Sequence, residues 1–571
     1  MKVYDSIDHY RFTLSKQSWT AEDKFSAACI GLKQLNDYTY EIDVRITWPE
    51  ALISFLDFVF PDLRSPIKEM QRKAILNDIR HKYKGVKDDF DQVYLPKITY
   101  DKTPWRHQYQ GWERSVFRKV SMFAFEQGLG KTLESITLSK ITGAKRTIII
   151  TTSLIKWSIY DDMTKDWGYN PLYWTILDAN KSKNVKAFIE RFVVVNYESI
   201  PKYLEALTSD ECQHIIIDEV HKVKNPSTKN YRSVAKVLNH FKKARVTLLS
   251  GTPMPNRVID LFGYFKLTGH PLGNNKKWFK ERYELKEGKS FGGKVVGIKN
   301  EDELKMRMSN FMIRKKTEEC VDLPDLIIKK FFFDMADIKE EYDAVIEEMY
   351  QSKIAKENAM ESSGIQQTSG NLKANIHTLN RLLATSKSKK AVELIDNINE
   401  QGNKKVIVFC SYTFPLQWLK EHYGDKAVLI TGSVPSYKRK AYVDRFKEDD
   451  NCMILLGNNK AAGIGINVTN ANHVIFLNMP FTPDDLEQPY KRAHRPGQKL
   501  NVLVYYLMCR DSIDEHVYSM ILSKTNDINS LIDEGKKGVV HYGSIENEVF
   551  NILINQYKSS KGIAVDEFKD V

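Results

Sequence analysis

Short, nearly continuous runs of apolar residues recur along the chain, and they constrain its fold more than any other feature. Each run ends in polar or glycine residues and is separated from the next by a stretch with helical spacing. Strands buried on both faces have this pattern, and their alternation with helices is typical of a parallel sheet. The runs are 147–150, 192–195, 214–217 and 246–249, followed by 406–410, 428–432, 453–457 and 473–477. We therefore predict an α/β fold with two parallel sheets.

A glycine-rich turn, Gly128-Leu129-Gly130, follows another apolar run and leads into Lys131 and Thr132. Two glycines let successive backbone N–H groups point at one anion, and the helix that follows would present its positive N-terminal end to the same place. In this interpretation Lys131 contacts the β- and γ-phosphates of a nucleotide, and the Thr132 hydroxyl binds Mg²⁺. The alternative is a glycine-containing turn before a surface helix.

Two carboxylates, Asp218 and Glu219, directly follow the run 214–217. The carboxyl ends of parallel strands lie at one edge of the sheet, so we expect this pair close to the glycine-rich turn. Asp218 would hold the Mg²⁺, and Glu219 would orient and deprotonate the attacking water. Farther upstream, Gln108 could pair its amide with the adenine edge, or it could be an ordinary residue on a helix surface.

Several motifs occur in an order that resembles one known family. They are Gly128-Leu129-Gly130-Lys131-Thr132, Asp218-Glu219-Val220-His221 and Ser250-Gly251-Thr252-Pro253, with the segments 311–316, 461–467 and 488–498 after them. This order resembles the Swi2/Snf2 group of superfamily 2 helicases. The resemblance implies two RecA-like parallel-sheet lobes in tandem, with helical insertions and an extra N-terminal domain, and it implies ATP and Mg²⁺ as cofactors.

The resemblance also assigns residues of the second half to the nucleotide. Gly463 and Gly465 would take part in nucleotide binding, and Arg492 and Arg495 would reach the γ-phosphate as arginine fingers. These two arginines are three residues apart and would share one face if they were helical, and outside this motif a solvated helix face would be the simpler interpretation. Loss of the γ-phosphate would let the cleft between the lobes open.

The sequence suggests five regions. They are an N-terminal accessory domain (1–97), the ATP-binding lobe (98–270), a helical inter-lobe region (271–386), the second lobe (387–532) and a C-terminal tail (533–571). The N-terminal domain is equally consistent with a recognition module and with a structural cap. Within the inter-lobe region we predict a helix over 334–350 and a mobile linker over the polar residues 351–371.

The formal net charge of +12 favours a polyanionic partner, although a charged fraction of 28% is ordinary for a globular protein. Contacts to nucleic-acid phosphates are expected from small polar groups at strand ends and from nearby lysines. The candidates are Ser153, Asn196, Lys222, Lys224, Thr252, Lys276, Lys277 and Thr469. Such contacts would make the base sequence of the partner unimportant.

Composition excludes several other classes of protein. No apolar run is long enough to span a bilayer, the N-terminus lacks the layout of a signal peptide, and the six cysteines include no CxxC pair. We therefore expect a monomeric, cytoplasmic protein of a bacterial cell or a phage-infected host, without a membrane partner. The function predicted is ATP-driven translocation on double-stranded or branched DNA. The alternatives are a helicase acting on RNA or single-stranded DNA and a non-catalytic nucleic-acid-binding scaffold.

Overall fold

The structure is a computed structural model of the 571-residue chain. It describes residues 4–64, 69–98, 100, 103–153, 155–177, 190–254, 257–287, 294–363, 370–402, 404–459, 468–532 and 545–563. The chain forms two compact units. The first takes in Met1–Leu285, Ile298–Cys320 and Leu531–Lys536, and the second takes in Lys286–Gly297, Val321–Ser530 and Lys537–Val571. Within the described ranges, no helix is both long and apolar enough to cross a membrane.

The N-terminal module, residues 4–98, is built on a four-stranded antiparallel sheet with the strand order β1-β2-β4-β3. Its elements are β1 (Tyr4–Ser6), β2 (Arg11–Ser15), α1 (Ala21–Cys29), β3 (Lys33–Gln34), β4 (Thr39–Asp43), α2 (Pro49–Val59) and α3 (Glu69–Asp89). Alternate residues of β2 and β4, such as Phe12, Leu14 and Ile42, are fully buried. This period of two is the pattern of strands with one face on a core.

Seven parallel strands form the sheet of the first lobe, in the order β13-β5-β10-β9-β6-β8-β7. They are β5 (Val120–Phe125), β6 (Thr147–Thr151), β7 (Trp174–Ile176), β8 (Phe192–Asn196), β9 (His214–Ile217), β10 (Arg245–Leu249) and β13 (Met312–Lys315). The β-branched residues of the central strands are buried on both faces. Strand β10 lies directly between β5 and β9, so the three turns that follow these strands are neighbours.

Helices connect these strands. They are α4 (Arg106–Ser115), α5 (Lys131–Ile141), α6 (Lys156–Asp161), α7 (Ile200–Thr208), α8 (Lys229–His240), α9 (Ile259–Thr268), α10 (Lys276–Tyr283), α11 (Glu301–Met308) and α12 (Thr317–Cys320). Two short strands, β11 (Glu284–Glu287) and β12 (Lys294–Ile298), form a small separate sheet. The parallel sheet with intervening helices confirms the predicted fold of this lobe.

The second lobe has a six-stranded parallel sheet with the order β14-β19-β18-β15-β17-β16. Its strands are β14 (Leu326–Phe333), β15 (Val406–Cys410), β16 (Ala427–Ile430), β17 (Ile454–Asn458), β18 (His473–Phe476) and β19 (Val502–Cys509). Its helices are α13 (Lys339–Ser363), α14 (Gly370–Ser386), α15 (Ser388–Glu400), α16 (Thr413–Tyr423), α17 (Ser436–Glu448), α18 (Pro483–Tyr490), α19 (Ile513–Ile532) and α20 (Ile545–Ser560). Ile407 and Phe409 belong to one hydrophobic core, whereas Val406 and Val408 belong to a second. The sheet is therefore covered on both faces, as its sequence predicts.

Buried polar contacts join the N-terminal module to the first lobe. The Asn310 side chain, just before β13, accepts a hydrogen bond from the Trp48 backbone (2.9 Å) and donates one to the Ile30 carbonyl (2.8 Å). The guanidinium of Arg307, fully buried on α11, donates to the Ser26 hydroxyl (2.9 Å). Breaking such bonds would leave buried groups unsatisfied, so the module is an integral part of the first unit.

The predicted linker over 351–371 is wrong for residues 351–363, which continue helix α13 to Ser363, and for residues 370–371, which begin helix α14. Helix formers such as Lys353, Ala355 and Lys356 follow Tyr350 without a glycine or proline to stop the helix. The predicted linker residues 364–369 lie outside the described ranges.

Candidate functional site

The glycine-rich turn joins the end of β5 to the start of α5. Gly128 and Gly130 have φ angles of 87° and 75°, in the left-handed region that glycine adopts without strain. The Lys131 Nζ donates to the carbonyl oxygens of Phe125 (2.8 Å) and Glu126 (3.1 Å). The ammonium group therefore lies inside the turn, where the sequence predicts it to meet phosphates.

Gln108 lies against this turn and is buried. A Cβ atom on Gly130 would lie 2.3 Å from Gln108 Nε2, so a side chain at this position would displace the amide. The Gln108 Oε1 accepts a hydrogen bond from the Trp105 backbone N–H (2.9 Å). Beside it, His107 Nε2 donates to the Leu129 carbonyl (2.9 Å). The start of α4 thus supports the turn directly.

Asp218 follows β9 and is buried. Its carboxylate accepts a hydrogen bond from the Thr151 hydroxyl (2.9 Å) at the end of the neighbouring strand β6. Burial, together with the adjacent Glu219 carboxylate, raises the pKa of Asp218 to about 6, and the Thr151 hydroxyl and the Lys131 charge oppose that rise. The predicted metal ligand and the predicted phosphate-binding lysine therefore belong to one electrostatic site.

Glu219 has a φ of 51°, which is unusual for a residue with a side chain and costs about 1–3 kcal/mol. The Tyr197 hydroxyl donates to the backbone carbonyls of Asp218 (2.5 Å) and Glu219 (3.4 Å). The His221 Nδ1 lies 3.3 Å from Glu219 Oε2. Strained residues held by several contacts concentrate at functional sites, where the strain fixes the direction of a side chain.

The turn after β10, Ser250-Gly251-Thr252, is tied to the glycine-rich turn by Arg314 of β13. The Arg314 Nη1 donates to the carbonyl oxygens of Ala124 (3.0 Å) and Gly251 (3.1 Å), and its Nη2 lies 3.4 Å from the Glu126 carboxylate. A Cβ atom on Gly251 would lie 3.7 Å from Lys131 Nζ. Three predicted motifs therefore meet at one edge of the first sheet.

Two polar side-chain atoms of this edge, Gln127 Oε1 and Thr252 Oγ1, are buried and have no hydrogen-bond partner among the described residues. Buried polar groups are nearly always bonded to protein, water or a ligand, so both atoms are available for a bond to a bound ligand or to water. Thr132, at the first turn of α5, and Asp218 supply a hydroxyl and a carboxylate. Mg²⁺ prefers oxygen ligands and commonly takes one or two from the protein and others from substrate phosphates, so these residues fit a magnesium nucleotide.

The predicted nucleic-acid contacts of the first unit differ in accessibility. Four of these residues are exposed, namely Ser153, Lys222, Lys276 and Lys277. Asn196 is instead buried, and its amide donates to Glu198 (2.9 Å). Lys224 forms an ion pair with Asp260 (2.9 Å). In the second unit, Thr469 is half-buried beside Gly497.

Arg492 and Arg495 do not lie in a helix, because α18 ends at Tyr490 and both arginines belong to the turns that follow. Pro496, which cannot donate a backbone hydrogen bond, and Gly497, with a φ of 100°, stop any continuation. The interpretation of a shared helix face is therefore wrong for this pair. Gly463 and Gly465 lie outside the described residues.

Sequence reasoning missed three residues that organise the site: Thr151, Tyr197 and Arg314. Each lies within or directly beside a strand-end motif that the sequence singles out, but none carries a motif role of its own. Their polar side chains next to buried runs were the available signal, and their partners became visible only in the folded chain.

The fold is a two-lobed α/β architecture whose first lobe carries a glycine-rich turn between β5 and α5. The SNF2-related domain matches residues 108–393, which is half of the chain, and the helicase conserved C-terminal domain matches residues 386–497. The chain belongs to the SNF2-related family.

Several curated proteins are similar to this chain. A "SWI/SNF-related matrix-associated actin-dependent regulator of chromatin subfamily A-like protein 1 homolog" of Caenorhabditis elegans is 27% identical over 424 residues, which cover 71% of this chain and 58% of the relative. The "Uncharacterized ATP-dependent helicase YqhH" of Bacillus subtilis is 25% identical, covering 77% and 81%. The "DNA annealing helicase and endonuclease ZRANB3" of Bos taurus is 26% identical, covering 73% and 39%. The chain thus spans less than two thirds of two of these relatives.

Among solved structures, the Sulfolobus solfataricus SWI2/SNF2 ATPase core in complex with dsDNA covers 82% of this chain and 99% of its own, with a TM-score of 0.36 and 19% identity.

Proposed function

We propose that this chain is an ATP hydrolase that couples hydrolysis to movement on double-stranded DNA. The observation that carries the proposal is the convergence of Lys131, Asp218, Glu219 and the Ser250-Gly251-Thr252 turn at one sheet edge, with buried polar atoms that lack a partner in the described chain.

Each residue of the site has a proposed task. The backbone of Gly128-Leu129-Gly130 and the Lys131 ammonium bind the phosphates, and Thr132 and Asp218 hold the metal. Mg²⁺, when bound, neutralises charge on the phosphate oxygens. Glu219 orients a water and takes its proton, and the contacts of Tyr197 keep the Glu219 backbone in place for that task.

The choice of double-stranded DNA is supported by the names of relatives that act on DNA and by the net charge of +12. Branched DNA as the preferred form, a monomeric motor and a cytoplasmic location are finer predictions from the sequence. The roles of Arg492 and Arg495 as arginine fingers are likewise part of the proposal, with Arg495→Ala expected to lower turnover and leave ATP binding in place.

The track is tested by measuring ATP turnover with duplex DNA, single-stranded DNA and RNA at matched nucleotide concentration. We expect duplex DNA to stimulate turnover most. If only RNA or only single-stranded DNA stimulates turnover, the proposal of a double-stranded DNA track is wrong, and the alternative of a helicase acting on that nucleic acid is supported.

Hydrolysis itself is tested with Glu219→Gln, which keeps the size of the side chain and removes the base. Turnover should fall by about 10²–10⁴-fold, while ATP binding, followed with a fluorescent analogue, stays close to that of the unchanged protein. Glu198→Gln, in the same lobe, is the matched control and should keep turnover. An unchanged rate in Glu219→Gln would remove Glu219 from the reaction.

A further inference from the structure

One segment of the first lobe is depleted of acidic residues. Asp and Glu make up 73 of the 571 residues, yet none occurs between positions 220 and 259, where nine Lys and Arg residues occur. Four of the nine are set apart by a role already proposed or by other contacts. Lys222 and Lys224 are candidate track contacts, Arg257 lies just before α9 with its backbone N–H bonded to Asp260, and Arg245 is tied to the carbonyl oxygens of Ser115 and Val116.

The other five form one exposed surface, the α8 basic face. It consists of Lys229, Arg232, Lys236, Lys242 and Lys243, all exposed. The first three recur at helical spacing along α8, whose opposite side is buried in the lobe through Tyr231, Val234, Val237 and Leu238.

In the described ranges, the positive charges of the α8 basic face are not balanced by carboxylates bound to them. None of its five side chains forms an ion pair with a carboxylate anywhere in the described ranges, although Lys224 nearby is paired with Asp260. The neighbouring Glu198 instead accepts a bond from the Asn230 amide (3.5 Å). Five like charges on about 20 Å of surface repel one another and attract a polyanion.

The partner that fits this face is a nucleic-acid backbone. Protein interfaces contain aromatic or aliphatic anchors at their centre, and α8 exposes no large hydrophobic residue. A duplex carries one phosphate charge per about 1.7 Å of axis, so it offers ample partners along this length.

The direction of α8 separates this face from the predicted track. Because β9 and β10 are parallel neighbours, α8 must run from the carboxyl edge of the sheet, beside Asp218 and Glu219, to the amino edge. A duplex that follows the face therefore leads away from the strand ends.

We propose that the α8 basic face binds the phosphates of a second duplex segment, distinct from the segment on which the motor moves. This inference rests on the proposed function, because it assumes that the strand ends bind the track. The contact reads no base sequence, and it favours DNA in which two duplex arms leave one point.

The test removes three charges in Lys229→Gln, Arg232→Gln and Lys236→Gln combined. Binding to a three-way DNA junction and to one of its arms as a linear duplex is measured between 50 and 200 mM KCl. We expect junction affinity to fall about ten- to a hundredfold and the slope of log K against log salt to become shallower by about 2–3, with little change for the linear arm. ATP turnover without DNA should stay unchanged.

The matched control removes three exposed charges from α3, in Arg80→Gln, Lys84→Gln and Lys87→Gln combined, and should bind the junction like the unchanged protein. The charge-conserving set Lys229→Arg, Arg232→Lys and Lys236→Arg should also bind normally, which assigns the loss to charge, and the unchanged ATP turnover of the triple Gln variant excludes a folding defect. Equal losses for junction and linear arm, equal losses in the α3 control, or full junction binding by the triple variant would overturn the proposal. If the α8 basic face instead binds an acidic protein, the triple variant will still bind the junction fully. If the proposed function itself is wrong, the result is different, because duplex DNA will not stimulate ATP turnover by the unchanged protein.

Discussion

The two parallel sheets end in different ways at their carboxyl edges. In the second lobe, the Ser411 backbone N–H after β15 donates to Asn478 Oδ1 (2.7 Å), and Asn458 donates to the Ser411 carbonyl (2.8 Å). In the first lobe, Gln127 Oε1 and Thr252 Oγ1 have no partner in the described chain, and burial raises the pKa of Asp218. Asn459 Oδ1, just after β17, is also buried without a partner in the described chain, so both edges have unpaired polar atoms. The clearer difference is charge: the ends of β15, β17 and β18 carry neutral amides and a hydroxyl, whereas the ends of β5 and β9 lead into Lys131, Asp218 and Glu219.

This difference shows that a shared architecture does not assign a shared task. Both sheets are parallel and covered on both faces, so burial and hydrogen bonding of the strands are alike. What differs is the charge of the polar residues just beyond these strands, which is neutral around Ser411 and Asn478 and ionic around Lys131 and Asp218. Substitutions at the first edge should therefore change catalysis, and substitutions at the second should change stability.

Among the substitutions that test this comparison of the edges, the largest effect is expected for Arg314→Ala, which removes the bonds between the turns after β5 and β10. The kcat/KM for ATP should fall about a hundredfold, mainly through KM, because hydrogen bonds from a charged donor contribute about 1.5–3 kcal/mol. Arg314→Lys should recover part of the lost kcat/KM, since a lysine ammonium can make some of the hydrogen bonds of the forked guanidinium. Arg72→Lys, at the Arg72 and Asp57 ion pair of the N-terminal module, is the control. Loss of thermal stability with normal KM would assign Arg314 to folding alone.

A smaller effect, of the opposite kind, is expected for Asn478→Ala in the second lobe. The half-buried Ser411 N–H would lose its acceptor in the fully buried Asn478 side chain, so the free energy of unfolding should fall by about 2 kcal/mol. Chemical denaturation measures that loss, and the KM for ATP at low temperature should change less than twofold. A large rise in KM without a loss of stability would break the comparison between the edges.

The smallest effect concerns His270, a paired group within the first unit. Its Nε2 donates to the Cys29 carbonyl (3.0 Å), and burial lowers the pKa of His270 from 6.5 to about 4. The folded protein binds this proton less readily than the unfolded chain does. The contribution of neutral His270 to the free energy of unfolding is therefore complete above pH 6.5 and is lost as the pH falls toward 4. Between pH 7.5 and 5.5 the loss should be about 1 kcal/mol. His270→Gln should show a weaker pH dependence of unfolding and normal turnover at pH 7.5, and an equal dependence in both proteins would contradict the assignment.

The sequence by itself predicted the fold class and the nucleotide-site motifs. Buried parallel strands need β-branched apolar runs, and a phosphate-binding turn needs glycines followed by Lys131, so both leave a local pattern. The same local logic misplaced the residues around Arg492 and the linker after Tyr350, because propensity and spacing do not show where a helix stops.

Only the tertiary structure decided which polar groups are paired and which are not. Arg314 is separated from Ala124 by 190 positions in the chain, and Asn310 from Trp48 by 262, so no local pattern reveals these bonds. The folded chain likewise turned the basic residues of α8 into one face, since burial of Tyr231 and Val234 fixes which side of the helix meets the solvent. Local patterns depend on neighbouring residues, whereas pairing and exposure depend on the whole packed chain.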